Sequence, residues 1–170
     1  MDGVLIERAR AGDADAFDEL ARSRIDSVYR TALGILGSSA DACDASQDTL
    51  VSMWRGLPSL KTVDAFDGWL HRITVNSCNM ALRRRKGVRE IPMTPDNEPS
   101  ADPVFAADSH FNRAFDRLNV DQRALLVAHH LDGLSVAEMA AQLDIPEGTV
   151  KSRLFTARTA LDKALQGGSK

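Results

Sequence analysis

The sequence predicts an all-α protein built as two small helical domains joined by a flexible tether. Three observations carry this. Ala, Leu, Arg, Asp and Glu dominate a chain with only 5% aromatic residues, a composition that favours helices over strands. Apolar residues recur at spacings of three and four in several segments, and no strand-like alternation of useful length appears. Residues 88–108 hold four of the six prolines and five acids against one arginine. Proline lacks the backbone donor and cannot continue a helix, so this stretch reads as an extended linker, spanning up to roughly 70 Å at about 3.3 Å per residue. The expected domains are therefore residues 1–87 and 109–170.

Bulk numbers narrow the class. The 170 residues are 44% hydrophobic and 26% charged, enough apolar matter for a core and enough charge for solubility. No uninterrupted apolar stretch reaches the about 18 residues of a membrane span, so no membrane insertion is expected. The start, MDGVLIERARAGD, lacks the basic flank and apolar core of a secretory signal, so the expected location is cytoplasmic. Two cysteines, Cys43 and Cys78, are too few for a disulfide scaffold and read as buried, reduced thiols. With His129 and His130 they show no metal-ligand spacing, and no cofactor is expected. The net charge of −3 hides segregation. Arg83-Arg84-Arg85-Lys86 and Lys151, Arg153 and Arg158 are basic clusters, while acids gather in residues 2–20, 41–48 and 90–108. Polyanions dock on such local patches rather than on the average.

In chain order, Val4, Leu5, Ala9, Ala16, Phe17, Leu20 and Ala21 give a first helical segment, broken near Gly12. A second covers about 24–36, with Ile25, Val28, Tyr29, Ala32 and Ile35 on one stripe, and ends at Gly37. A third starts at Asp41 and carries Ala45, Asp48, Val51 and Trp54 up to the Gly56-Leu57-Pro58 break. A fourth runs from Phe66 to Arg85, with Trp69, Leu70, Ile73, Ser77, Met80 and Ala81 expected to face inward. Beyond the tether, residues 111–130 read as two helices split near Asn119-Val120-Asp121.

Residues 134–165 are the most informative. Ser135 with Glu138 three residues on forms a capping box, and Leu134 with Met139 occupies the hydrophobic-staple positions. A short helix thus starts at Ser135 and ends near Leu143, Asp144-Ile145-Pro146 turns the chain, and a longer helix follows from about Glu147 to Leu165. This is a helix-turn-helix. In the second helix Val150, Leu154, Ala157, Leu161 and Leu165 form the buried stripe. Lys151, Phe155 and Arg158 form another stripe with no core to face, flanked by Ser152 and Thr159. In a major groove Lys151 and Ser152 would meet base edges, and Arg153 and Arg158 would reach phosphates. A basic helix face alone is usually just solvated. Capping box, turn and preceding helix in one register make DNA binding the stronger reading.

Three further stretches carry a family resemblance. Asp41-Ala-Cys-Asp-Ala-Ser-Gln-Asp-Thr-Leu-Val-Ser-Met-Trp-Arg55 resembles region 2.2 of the extracytoplasmic-function (group IV) sigma factors of the sigma-70 family. Phe66-Asp-Gly-Trp-Leu-His-Arg-Ile-Thr-Val-Asn76, with Arg83 to Lys86, resembles their regions 2.3 and 2.4. Gly148-Thr-Val-Lys-Ser-Arg-Leu-Phe-Thr-Ala-Arg158 resembles region 4.2. The resemblance implies a sigma region 2 four-helix domain, a sigma region 4 helix-turn-helix domain, and a non-enzymatic factor that directs promoter-specific initiation. It places Asp44, Gln47 and Asp48 against the coiled coil of the largest polymerase subunit, and their spacing puts them on one helix face. Region 4 would meet the polymerase flap. Asn76 matches the position that reads a flipped −10 base, where an amide offers donor and acceptor together. Lys61, His71 and Arg72 would contact backbone or bases nearby. Trp69 reads first as core, with stacking on single-stranded DNA as its alternative. Arg83, Arg84, Arg85 and Lys86 would bind phosphates. Lys151, Ser152, Arg153, Phe155 and Arg158 would read the −35 element.

The acidic tether would pass near the RNA exit path, or serve only as a spacer, and a cognate anti-sigma factor, clamped between the two domains, would hold the protein inactive. No fused regulatory module is expected after Leu165. The chain departs from the family at Cys43, Asp144 and Thr156, where Glu, Gly and Arg are common; Thr156 removes a cation from the −35 face. Two other readings compete. A stand-alone helix-turn-helix regulator would need a ligand-binding or receiver domain in the first hundred residues. A sigma-mimicking adaptor that only binds an anti-sigma factor would need to lose the basic clusters, which are present.

Overall fold

The computed structural model describes residues 2–89 and 109–167. Four helices precede the tether: α1 (Asp2–Arg10), α2 (Ala14–Leu36), α3 (Ser39–Gly56) and α4 (Phe66–Arg89). Two single 3-10 turns, Leu57–Ser59 and Val63–Ala65, connect α3 to α4. Four follow it: α5 (Ser109–Phe115), α6 (Val120–His130), α7 (Val136–Leu143) and α8 (Glu147–Gln166). No strand occurs among the described residues, so the all-α expectation holds. Helix α4 runs to Arg89, two residues into the stretch expected to be tether; the remainder of that stretch lies outside the described residues.

Caps punctuate the chain where the sequence signals them. Asp13 opens α2 by accepting from Ala16 N, and Ser38 opens α3 by accepting from Asp41 N. Gly37 closes α2 at φ 65°, a left-handed conformation that side chains with a Cβ resist. The break expected between Ala21 and Arg24 is absent, and α2 is one continuous helix. Nothing in residues 21–24 breaks a helix; only the apolar stripe drifts there, because the helix passes from one core to the next.

Three cores result. The first joins α1, α2, α3 and α4 around Leu20, Met53, Leu57 and Phe66. The third holds the helix-turn-helix, with Met139, Val150, Leu154 and Ala157 at its centre. The second belongs to both halves of the chain: Ala32, Ile35, Leu36, Cys78 and Ala81 pack with Ala124 and Val127. The two domains are therefore in contact. At that contact Arg123, only 5% exposed, donates from Nη1 to Ile35 O at 2.9 Å, from Nη2 to Asp116 O at 2.6 Å and from Nε to Leu118 O at 3.2 Å.

One inward assignment changes, that of Met80, and three further apolar residues of the periodic segments lie outward. Val51 and Trp54 are each 47% exposed, because α3 buries Ala42, Ala45, Ser46, Thr49 and Met53 instead. The hydroxyls of Ser46 and Thr49 bond back to Ala42 O and Ala45 O, which lets a polar pair line the core. Met80 is 58% exposed, and Val4 is also exposed. Of the thiols, Cys78 is buried as expected, and burial pushes it up to about 12; Cys43 is exposed.

The capping box at α7 forms as read from the sequence: Glu138 N donates to Ser135 Oγ at 3.2 Å, and Ser135 N donates to Glu138 Oε2 at 2.7 Å. Hydrogen bonding to the Ser135 side chain and to the Ser135 N–H holds the Glu138 carboxyl below its ordinary value. Ser135→Ala is expected to destabilise the chain by about 1 kcal/mol, since the Glu138 amide loses its acceptor while the bond from residue 135 N to the Glu138 carboxylate remains. Thermal unfolding of the two proteins measures it; an unchanged midpoint would show the box to be idle.

Candidate nucleic-acid interface

The helix-turn-helix places its faces as the spacing demands. Asp144 takes the left-handed turn at φ 54° and its N–H closes α7 on Ala140 O and Ala141 O; a short polar side chain tolerates this better than most. Helix α8 then buries Val150, Leu154 and Ala157 and leaves Lys151, Ser152, Arg153, Phe155, Thr156 and Arg158 exposed. Phe155 is 72% exposed, so it has no structural partner that would explain an aromatic there. Lys151 reaches Glu147 at only 3.8 Å with both ends in solvent, a pair that a phosphate displaces at little cost.

A second basic face lies on α4. Arg72, Asn76, Arg83, Arg84 and Arg85 are exposed. Met80, one turn after Asn76, joins this surface; its spacing of four from Asn76 was the signal in the sequence, outweighed there by its apolar character. Lys61 is exposed in the loop between the two 3-10 turns; the side chain of Lys86 lies outside the described residues. Trp69 is half-buried against Phe66 and the first core. It also packs over Gly56, where an added Cβ would stand 2.8 Å from its ring, so its core role is the one the geometry supplies. His71 sits half-buried at the domain contact, where burial lowers its pKa and the Asp132 carboxylate partly opposes this. Asp132 itself is raised by burial, against a hydrogen bond from Thr31 Oγ1 at 3.2 Å.

The α3 residues line up as expected. Asp44 and Gln47 are exposed and Asp48 is half-buried, beside exposed Val51 and Trp54. Asp48 also accepts from Arg84 Nη2 at 2.8 Å, and Arg85 lies 3.3 Å from Asp41. Sequence reasoning assigned these acids and arginines to different partners; the fold pairs them. No grouping of His, Cys, Asp and Glu able to hold a metal occurs among the described residues, and none of their helices is long and apolar enough to cross a membrane.

A helix-turn-helix with an exposed basic, aromatic-bearing helix, joined to a second helical domain with its own basic face, defines a two-domain helix-turn-helix protein. Family profiles specify which. The profile "Sigma-70 region 2" matches residues 20–88, and "Sigma-70, region 4" matches residues 111–161. The chain is 40% identical to the ECF RNA polymerase sigma factor SigM of Mycobacterium tuberculosis, over 96% of this chain and 84% of that one. It is 32% identical to the ECF RNA polymerase sigma-E factor of Escherichia coli, over 97% and 94%. Among solved structures, CnrH in complex with the cytosolic domain of CnrY aligns over 99% of both chains, with a TM-score of 0.68 and 25% identity. The sigma factor RpoE of Bartonella quintana, in complex with the anti-sigma factor NepR, aligns over 88% of this chain and 96% of that one. Its TM-score is 0.61 and its identity 23%, a likeness of fold. The chain belongs to the extracytoplasmic-function sigma factors of the sigma-70 family, which are transcription-initiation factors.

Proposed function

We propose that this sigma factor, working in the cytoplasm, docks on core RNA polymerase through α3 and carries the enzyme to promoters by reading two DNA elements. The observation that carries the reading is that one chain presents two separate exposed basic helix faces, on α4 and on α8. A stand-alone helix-turn-helix regulator needs only the second of these. Asp44, Gln47 and Asp48 offer an acidic, hydrogen-bonding face to a basic helix, with Val51 and Trp54 supplying apolar area beside it. On α4, Asn76 reads a flipped −10 base, Met80 supports it with a flexible apolar contact, and Arg72 with Arg83, Arg84 and Arg85 holds phosphates. Lys61 and His71 flank this site. On α8, Lys151 and Ser152 meet base edges of the −35 element, Phe155 gives apolar contact, and Arg153 and Arg158 take phosphates. The pairing of Arg84 with Asp48 links the two roles: docking of Asp48 frees a cation for DNA. A second partner, an anti-sigma factor, is supported by the complexes in which the solved relatives were captured.

The test is reconstitution with bacterial core polymerase and a promoter library. Promoter-specific transcripts should appear only when the chain is added; transcription indifferent to it would end the reading. In the same assay Lys151→Ala should weaken −35 duplex binding about tenfold and relax the base preference at the position it reads, with core association unchanged.

A further inference from the structure

Helix α6 ends on two histidines that neither the docking face nor the base readers use. The rings of His129 and His130 meet edge to face, with centroids 4.9 Å apart. His129 is half-buried, and its Nδ1 lies 2.8 Å from Leu134 O, directly ahead of the Ser135 cap that starts α7. A carbonyl only accepts, so Nδ1 carries the hydrogen, and Nε2 of the neutral ring is left as an acceptor. His130 is exposed and lines a cavity of about 400 Å³ together with Arg158 and Asp162 of α8.

The pair thus links the start of α7 to the Lys151, Phe155 and Arg158 stripe of α8, using groups that are charged only when protonated. Partial burial lowers the His130 pKa, and His129 and then Arg158 lower it further as neighbouring cations. Asp162 is the acid of that cavity; α5 brings Phe111 and Phe115 to it and α2 brings Gly34, none of them charged. Asp132, two residues on, accepts from Thr31. Like charges gathered on one exposed edge repel in the free chain and gain beside a polyanion. The carbonyl end of α6 also favours the charged rings.

We propose that His129 and His130 form a proton-dependent phosphate clamp beside Arg158, gripping the DNA backbone at the −35 element. The clamp rests on the sigma reading of α8. Protonation turns His129 Nε2 into a donor and makes both ring nitrogens of His130 donors, so each ring can give a charge-assisted bond to a phosphate oxygen. A phosphate in contact raises the pKa of the ring it touches. The added affinity is therefore complete below the free-chain value, which for His130 lies under the ordinary value, and is lost as pH rises through the value in the complex. DNA binding takes up protons across that window.

The experiment loads core polymerase with the full-length chain and measures its binding to a promoter duplex recovered from the library, over a salt series at about pH 5.5 and about pH 8. Polymerase titrates too, so the quantity read is the difference between wild type and variants. Wild type should gain about tenfold more affinity on acidification than the double variant His129→Asn with His130→Gln, and its salt slope at the lower pH should be steeper by about 1–2, close to one per phosphate held. Asparagine keeps a donor for Leu134 O, so the turn into α7 is preserved. His130→Arg, a fixed cation, should bind about threefold more tightly than wild type at about pH 8. Identical pH and salt dependence in wild type and the double variant overturns the clamp, and so does equal weakening at both pH values, which would make the pair structural. A wild-type complex that binds the duplex no better than core polymerase alone at either pH overturns the sigma reading, and the clamp with it.

Discussion

Arg123→Ala should lower the free energy of unfolding by about 2–4 kcal/mol, a large share of the stability of a domain this size. The guanidinium is 5% exposed and donates to three backbone carbonyls, those of Leu118, Asp116 and Ile35. Its truncation leaves those acceptors without their donor and opens a void beside Phe115, over whose ring the guanidinium carbon lies 5.7 Å from the centroid. The Asp116 carboxylate at 3.3 Å adds little, being 66% exposed on its side. Lysine should not rescue, because one ammonium cannot span three carbonyls that a planar fork reaches together. Urea unfolding of wild type, Arg123→Ala and Arg123→Lys checks this, and a loss below about 0.5 kcal/mol would show the hydrogen bonds to be dispensable. One of the three bonds crosses between domains.

Arg123 also shows where sequence reading stops. The helix-turn-helix was legible almost to the residue, since its signals are local: a capping box, a turn, and two stripes on one helix. The four N-terminal helices were legible as periodic segments, although α2 was read as two because its stripe serves two cores in succession. Met80 reads as inward because it is apolar and fits a spacing, while Val51 and Trp54 belong to a periodic segment whose buried face the spacing leaves open. Which of two possible stripes a helix buries depends on neighbours far away in sequence, and periodicity does not name them. Arg123 and Asp132 carried no signal at all: their partners, Ile35 and Thr31, are 88 and 101 residues away. The contact between domains is likewise invisible to a reading that sees a tether and assumes separation, and only Gly34 and Gly68, two glycines inside helices, hint at a close approach. The candidate residues on α8 and Asp44 and Gln47 on α3 are exposed and Asp48 is half-buried, while Trp69 lies in the core and His71 at the domain contact.

Asn76→Ala is the second large effect expected, and it falls on discrimination rather than on stability. The residue is exposed on α4, one turn after Arg72 and one before Met80. Its amide has no hydrogen bond among those that hold α4 to its neighbours, so the helix should lose nothing when it is cut back. A base drawn from the stack costs a few kcal/mol, recovered through hydrogen bonds to its pairing edge. An amide supplies both senses of that bond, and a well-made pair of them distinguishes the right base from a wrong one by about 1–3 kcal/mol. Transcription from promoters varied at each −10 position should therefore show preference at one position relaxed by roughly 10- to 100-fold, with affinity for core polymerase unchanged. Asn76→Asp should do worse on every sequence, because it keeps an acceptor but brings a negative charge toward phosphates that Arg72 and Arg83 are placed to hold. Loss of core binding in parallel with loss of preference would move Asn76 from the DNA to the polymerase.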